Sequence, residues 1–219
     1  MEKAKSKIFM SDPVATTIAS YEAKSDEYIR NTDQLSYFPD LPDMLDKFIS
    51  LLPGKRVLDV AFGSGRDTIY LSTHGISTEG IELTQAFIDS LHGKAITPLY
   101  KMDMRWLGFA DSVFDGIWCC AAFLHVPRSQ AIMTLSGFAR ALKSHGVLYF
   151  DLKEGSGDEW KSEGNVNEAR RFFTYYTLGE ITQMLVDSNF EILFTRRQEH
   201  AKKNSNKPLW LNLMCRKSS

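Results

Sequence analysis

RVLDVAFGSGRDTIYLSTHGISTEGIEL, residues 56–83, opens on a short apolar run at 57–61 and breaks at Phe62-Gly63-Ser64-Gly65. A helical pattern follows over 66–74 and stops at Gly75, the usual residue just past a helix end. A second apolar run, 77–82, closes on an acid, Glu82. Strand, tight glycine turn, helix and strand with a terminal carboxylate is the layout that cradles a nucleotide-type ligand.

The same alternation extends outward from this stretch. Downstream, a helix is expected over 85–91, a third strand over 96–102, and a continuous apolar fourth strand over 114–121, as in a buried parallel sheet. A helix opened by Pro127 runs to about 142, and a fifth strand covers 147–152. Thr177-Leu178-Gly179-Glu180 is a capping box that starts a helix ending near 188. Two last strands, 191–197 and 208–216, flank the polar AKKNSNK loop and read as an antiparallel hairpin. Upstream, Ser11-Asp12-Pro13 starts a helix expected to run to 30. Tyr21 and Tyr28, seven residues apart, share one of its faces. A second helix is predicted over 42–52 and stopped by Pro53-Gly54. Repeated strand–helix alternation predicts an α/β, Rossmann-like doubly wound sheet, with helices on both faces and residues 1–52 as an N-terminal helical cap. One domain spanning 1–219 is expected, with no repeats or linkers.

Composition fits a folded chain of this size: 219 residues, 43% hydrophobic and 24% charged. No apolar run approaches the roughly 18 residues that span a membrane. The basic first ten residues lack the apolar core of a secretory signal. Cys119, Cys120 and Cys215 show neither a disulfide framework nor zinc spacing. A cytoplasmic protein, monomer or homodimer, is the expectation. Seven Lys/Arg against Glu199 give residues 196–219 a charge of +6, leaving −7 for the residues before them. A basic end of this kind reads as a solvated hairpin, or as a contact for RNA.

The cofactor has two readings on these residues. A dinucleotide turn wants a third glycine, and Thr68 stands there instead. The other reading draws on four segments in order: VLDVAFGSGR at 57–66, GIELT at 80–84, KMDMRWL at 101–107 and FDGIWCCAAFLHVP at 114–127. Through them the chain resembles the class I S-adenosylmethionine-dependent methyltransferases of the small-molecule type, over nearly its whole length. The resemblance implies a seven-stranded, mostly parallel sheet with an antiparallel last strand. It implies S-adenosylmethionine as cofactor, S-adenosylhomocysteine as product, and methyl transfer to an O or N of a small polar acceptor. An RNA or protein acceptor and a non-catalytic cofactor-binding module are the alternatives.

Each position has a physical rationale. Gly63 and Gly65 let the backbone approach the ligand, and the helix start behind them suits a carboxylate. Glu82 has two acceptor oxygens for ribose hydroxyls, and Leu83 offers apolar area to adenine. Asp103 would accept adenine's amino group, with the Met104 N–H on a ring nitrogen. Ala61 stands where the family usually has glycine. Asp59 is either a turn-stabilising carboxylate or a partner for the cofactor's ammonium. The Cys120 backbone would touch the methionine part, and Tyr28 would close over the cofactor. His125 is the expected general base or a pocket-shaping residue, with Asp151 the second candidate base. The long segment 153–176 is the expected acceptor lid. There Arg171 would bind a carboxylate or phosphate, and Tyr175 and Tyr176, with Tyr21, would line the acceptor site. No metal is expected, since the histidines show no ligand spacing.

Overall fold

The computed structural model describes residues 12–94, 97–162, 169–198 and 209–219. The first ten residues with Ser11, the first residue of the third predicted strand, the whole AKKNSNK loop with Pro208, and part of the acceptor lid lie outside these.

Seven strands form the main sheet: β1 (Arg56–Val60), β2 (Ser77–Glu82), β3 (Leu99–Lys101), β4 (Phe114–Cys119), β5 (Leu142–Lys153), β8 (Phe190–Gln198) and β9 (Trp210–Lys217). Their order is β3-β2-β1-β4-β5-β9-β8. The first five are parallel, and β9 runs antiparallel to both β5 and β8. The expected mostly parallel sheet with an antiparallel last strand is therefore present.

Side chains alternate across this sheet with the strand period of two. Leu58, Val60, Ile117, Cys119, Leu148 and Phe150 face one apolar cluster. It is covered by α6 (Arg128–Ala141) and α7 (Leu178–Asp187), which contribute Leu135, Phe138, Ile181 and Leu185. Val57, Trp118, Val147, Tyr149 and Met214 face the opposite cluster. There α3 (Leu41–Leu51) supplies Leu45 and Phe48, and α4 (Arg66–Thr73) supplies Leu71. Trp118 stacks on Tyr149 with centroids 3.8 Å apart and meets Phe48 edge-on at 5.2 Å. Its Nε1–H donates to Asp67 at 2.9 Å, which fixes α4 against the sheet.

Three differences from the sequence reading matter for the site. The helix expected over 13–30 is two helices, α1 (Pro13–Ala23) and α2 (Ser25–Thr32), broken at Lys24. The break folds the chain so that Tyr21 and Tyr28 still meet, edge to face at 5.3 Å. The segment 153–176 is not an open loop: it carries an antiparallel pair, β6 (Asp158–Lys161) and β7 (Arg171–Thr174). Trp160 pairs with Phe172 across it, and an aromatic cross-strand pair stabilises such a ribbon. Strand β5 begins five residues early, directly after α6, and passes through His145 at φ 62°. His145 is thus a left-handed residue inside a long strand.

Candidate active site

The carboxyl ends of β1, β2 and β4 meet where the order of strands reverses, the place at which open α/β sheets bind ligands. A cavity of about 690 Å³, its open mouth included, lies there. It is lined by Ala61, Gly63, Glu82, Leu83, Asp103, Met104, Cys120 and His125 from the sheet side, and by Tyr21 and Tyr28 from the cap. Ten of the residues singled out in the sequence are brought together here.

The glycine turn is built by backbone geometry. Gly63 and Gly65 have φ of 55° and 79°, the left-handed region that favours glycine. A Cβ on Gly63 would lie 3.1 Å from Cε1 of Tyr28, and one on Gly65 only 2.4 Å from Leu91. Ala61 has φ 57°, so the residue standing in place of the family's glycine holds a glycine conformation at a steric cost. Ser64 Oγ and Arg66 Nη1 both donate to the carbonyl of Thr32, which latches the end of α2 onto the turn.

Glu82 closes β2. It accepts the backbone N–H groups of Gly63 at 3.1 Å, Leu83 at 2.8 Å and Thr84 at 2.9 Å. Burial pushes its carboxyl above the ordinary range, and these three donors oppose the shift. Three of its roughly four lone-pair sites are used, which leaves one for a ligand hydroxyl.

Asp103 also lines the cavity, but Arg105 grips it. Nε lies 3.0 Å and Nη2 2.6 Å from Oδ2, and the Arg105 backbone N–H donates to Oδ1 at 2.9 Å. The same guanidinium reaches Asp12, the N-cap of α1, at 2.7 Å, and Gln130 at 2.8 Å. Arg105 stands two residues from Asp103 in the sequence, which was the available signal for it. Its link to Asp12, 93 residues away, had none.

His125 ends a short 3₁₀ turn after β4. Its Nδ1 lies 2.6 Å from the carbonyl oxygen of Phe172. A carbonyl only accepts, so Nδ1 carries the proton and Nε2 accepts from the Tyr21 hydroxyl at 3.0 Å. Tyr21 accepts in turn from Nη1 of Arg171 at 3.0 Å. Burial, with Arg171 and Lys153 nearby, pushes the imidazole down to about 3 against the Phe172 bond. His125 is therefore neutral at ordinary pH, and its acceptor nitrogen is occupied by a phenol.

Six of the expected site residues lie away from the cavity lining: Gly65, which packs on Leu91, Arg171, which reaches it through Tyr21, and Asp59, Asp151, Tyr175 and Tyr176. Asp59 accepts from Thr68 Oγ1 at 2.5 Å, tying β1 to α4; burial and the neighbouring Asp67 push it up to about 8. Asp151 accepts the backbone N–H of Ala121, and Cys120 Sγ lies 3.9 Å from it. Burial pushes it up to about 7. It fastens Ala121, which sits at φ 53° at the end of β4. Tyr176 lies under the Arg128 guanidinium, 4.5 Å from its ring centroid, and near Phe123. Tyr175 packs over Gly155 with Lys161 5.5 Å from its ring centroid.

The cap is held by contacts that sequence periodicity did not reveal. Thr17 Oγ1 accepts from Phe172 N at 3.0 Å, and Ser20 donates to the Arg170 carbonyl. Glu22 accepts from Gln85 and Ala86 N–H at the start of α5 (Gln85–Leu91), where a carboxylate complements the helix dipole. Among the described residues no group of three His, Cys, Asp or Glu is placed to hold a metal ion. No described helix is long and apolar enough to cross a membrane.

A strand–glycine turn–helix unit with acids ending β2 and following β3 defines a class I nucleotide-cofactor domain. The family model for a methyltransferase domain matches residues 57–146. The protein YqeM of Bacillus subtilis is 31% identical over 108 residues, 46% of this chain and 44% of the relative. The ubiquinone biosynthesis O-methyltransferase of Dechloromonas aromatica is 28% identical over 113 residues, 49% and 47% of the two chains. The aligned stretches thus span less than half of these curated relatives. Among solved structures, the 1,6-didemethyltoxoflavin-N1-methyltransferase of Burkholderia thailandensis superposes with a TM-score of 0.72 at 18% identity. The match covers 94% of this chain and 89% of that one, and that crystal holds 1,6-didemethyltoxoflavin and S-adenosylhomocysteine. Residues 57–146 thus match a methyltransferase domain, and the fold over nearly the whole chain is that of the S-adenosylmethionine-dependent methyltransferases.

The cavity fits this family's cofactor. Glu82 offers oxygen at the end of β2, Gly63 presents bare backbone, and Leu83, Phe87 and Met104 give an apolar wall.

Proposed function

We propose that this protein transfers a methyl group from S-adenosylmethionine to an O or N of a small polar molecule. In this reading 1–219 is one domain, 1–52 its cap and 153–176 its acceptor lid. The observation that carries it is one cavity with Glu82 and Asp103 at its cofactor end and the Tyr21–His125 pair under the cap. The cofactor supplies an electrophilic methyl on a sulfonium, which needs only an aligned lone pair.

The chain's own residues bind, align and exclude water. Glu82, Leu83, Asp103, Met104, Gly63 and the Cys120 backbone hold the nucleoside and methionine parts. Tyr21 and Tyr28 close the cavity from above, which strengthens polar contacts inside it. His125 positions Tyr21 through Nε2 and is a weak base in this arrangement. Acceptors that present a lone pair without losing a proton, such as a ring nitrogen, suit this site best; the Burkholderia protein of the same fold is itself an N1-methyltransferase. Proximity supplies most of the rate. The basic 202–207 stretch lies outside the described residues, so nothing observed favours an RNA acceptor.

Calorimetry tests the cofactor half. S-adenosylmethionine and S-adenosylhomocysteine should bind one per chain, NAD should not, and Glu82→Gln should weaken the former by roughly tenfold or more, the worth of a charge-assisted hydrogen bond. Binding of NAD with no S-adenosylmethionine signal would overturn the reading. For transfer, incubation with S-adenosylmethionine and a panel of N-heterocycles and alcohols should release S-adenosylhomocysteine with the heterocycles first.

A further inference from the structure

The guanidinium of Arg171 is only half used. Arg171 opens β7 and is 5% exposed. Nη1 donates to the Tyr21 hydroxyl, while Nε and Nη2 are buried and have no hydrogen-bond partner among the described residues. These two nitrogens lie along one edge of the planar group, the edge whose parallel N–H bonds match both oxygens of a carboxylate. A buried cation without a counter-charge is costly, so its retention calls for a compensating anion. Among the described residues none forms an ion pair with it. Arg171 lies between the rings of Tyr21 and Phe173, each 5.3 Å from its central carbon. Lys153 sits 4.3 Å from the Phe173 centroid, and the two charges felt by His125 are both positive.

We propose that the Nε–Nη2 edge of Arg171 binds the carboxylate of the methyl acceptor, with Tyr21 holding the opposite side of the guanidinium. The word acceptor rests on the methyl-transfer reading above; the anion site itself does not. A planar monoanion fits better than phosphate, because one flat fork is free and aromatic rings flank it. Tyr21 then connects three things: the anion site through Arg171, the imidazole through its own proton, and the cavity it lines. An acceptor anchored there is a small molecule with an apolar or aromatic body and one carboxylate, its methylated atom directed toward the cofactor end.

The test uses the full chain, with and without saturating S-adenosylhomocysteine. Acetate, benzoate and phenylacetate are titrated calorimetrically beside their three amides and inorganic phosphate. At least one carboxylate should bind roughly tenfold or more tighter than its amide, the range of a charge-assisted bidentate pair. Arg171→Met should abolish that preference and leave S-adenosylhomocysteine affinity within about twofold, since the site is separate from Glu82. Arg171→Lys, which keeps the charge and loses the fork, should lose most of it and serves if the Met variant does not fold. Equal binding of acid and amide, tighter binding of phosphate than of every carboxylate, or an undiminished preference in both variants would each sink the proposal. A chain that takes carboxylates through Arg171 but never S-adenosylhomocysteine keeps the anion site and refutes the methyl-transfer reading instead.

Discussion

Tyr21 of α1 and His125 in the short turn after β4, 104 residues apart in sequence, are joined by a 3.0 Å hydrogen bond from the phenol hydroxyl to Nε2. The phenol is the donor, since Nδ1 of the same ring already gives its proton to the Phe172 carbonyl. Cap and sheet are therefore fastened at the site itself.

Tyr21→Phe removes that hydroxyl and strands Nε2 of His125 and Nη1 of Arg171. Stranding buried polar groups costs about 1–3 kcal/mol. Urea denaturation should show a loss of that size, while Thr17→Ser, which keeps its hydroxyl toward Phe172 N, should lose less. In the wild type, nitrogen NMR of His125 should report the Nδ1–H tautomer; an Nε2–H signal would contradict the assigned direction.

The acid limb of stability carries His125. Its folded pKa is pushed down to about 3 from an ordinary value near 6.5, so between these pH values the unfolded chain binds the extra proton. Stability contributed by neutral His125 is present above about 6.5 and lost as pH falls toward 3, with a slope of at most about 1.4 kcal/mol per pH unit. A difference curve between wild type and His125→Gln should rise with pH across that window. A flat difference would show that the imidazole is not held neutral.

Asp151 works in the other direction. Its folded pKa is raised to about 7, so the folded chain keeps a proton that the unfolded chain has released. The contribution is complete below about 4 and disappears as pH rises through 7. Asp151→Asn can still accept from Ala121 N, so it should flatten this part of the profile and gain relative to wild type at pH 8. Asp59, raised to about 8, adds a second contribution of the same sign.

Ala61 and Gly63 give opposite responses at one turn. Ala61→Gly relieves a left-handed alanine, and the gain is partly offset by the freer unfolded chain. Thermal melts should show neutrality to about 1 kcal/mol of stabilisation. Gly63→Ala places a Cβ 3.1 Å from the Tyr28 ring at φ 55°. Displacing Tyr28 loosens α2, so this variant should lose stability and S-adenosylhomocysteine affinity together. Unchanged affinity would detach Tyr28 from the cofactor site.

The sheet and its cofactor end were legible in the chain because they are local. Apolar runs of five or six residues, glycines at 63 and 65 and an acid closing β2 all fall within residues 56–83, where strand period and steric freedom fix the outcome. Glu82 and Gly63 from that stretch line the cavity, and so does Asp103, which the family resemblance had singled out. Tertiary structure alone decided the rest. The break at Lys24, the β6–β7 ribbon and the seating of α1 on β7 bring Tyr21 to His125 and, across 150 residues, to Arg171. They also turn Asp59 and Asp151 inward as fasteners for Thr68 and Ala121. No period in the sequence encodes those meetings, because they arise from which buried donors and acceptors remain to be satisfied once the layers have packed.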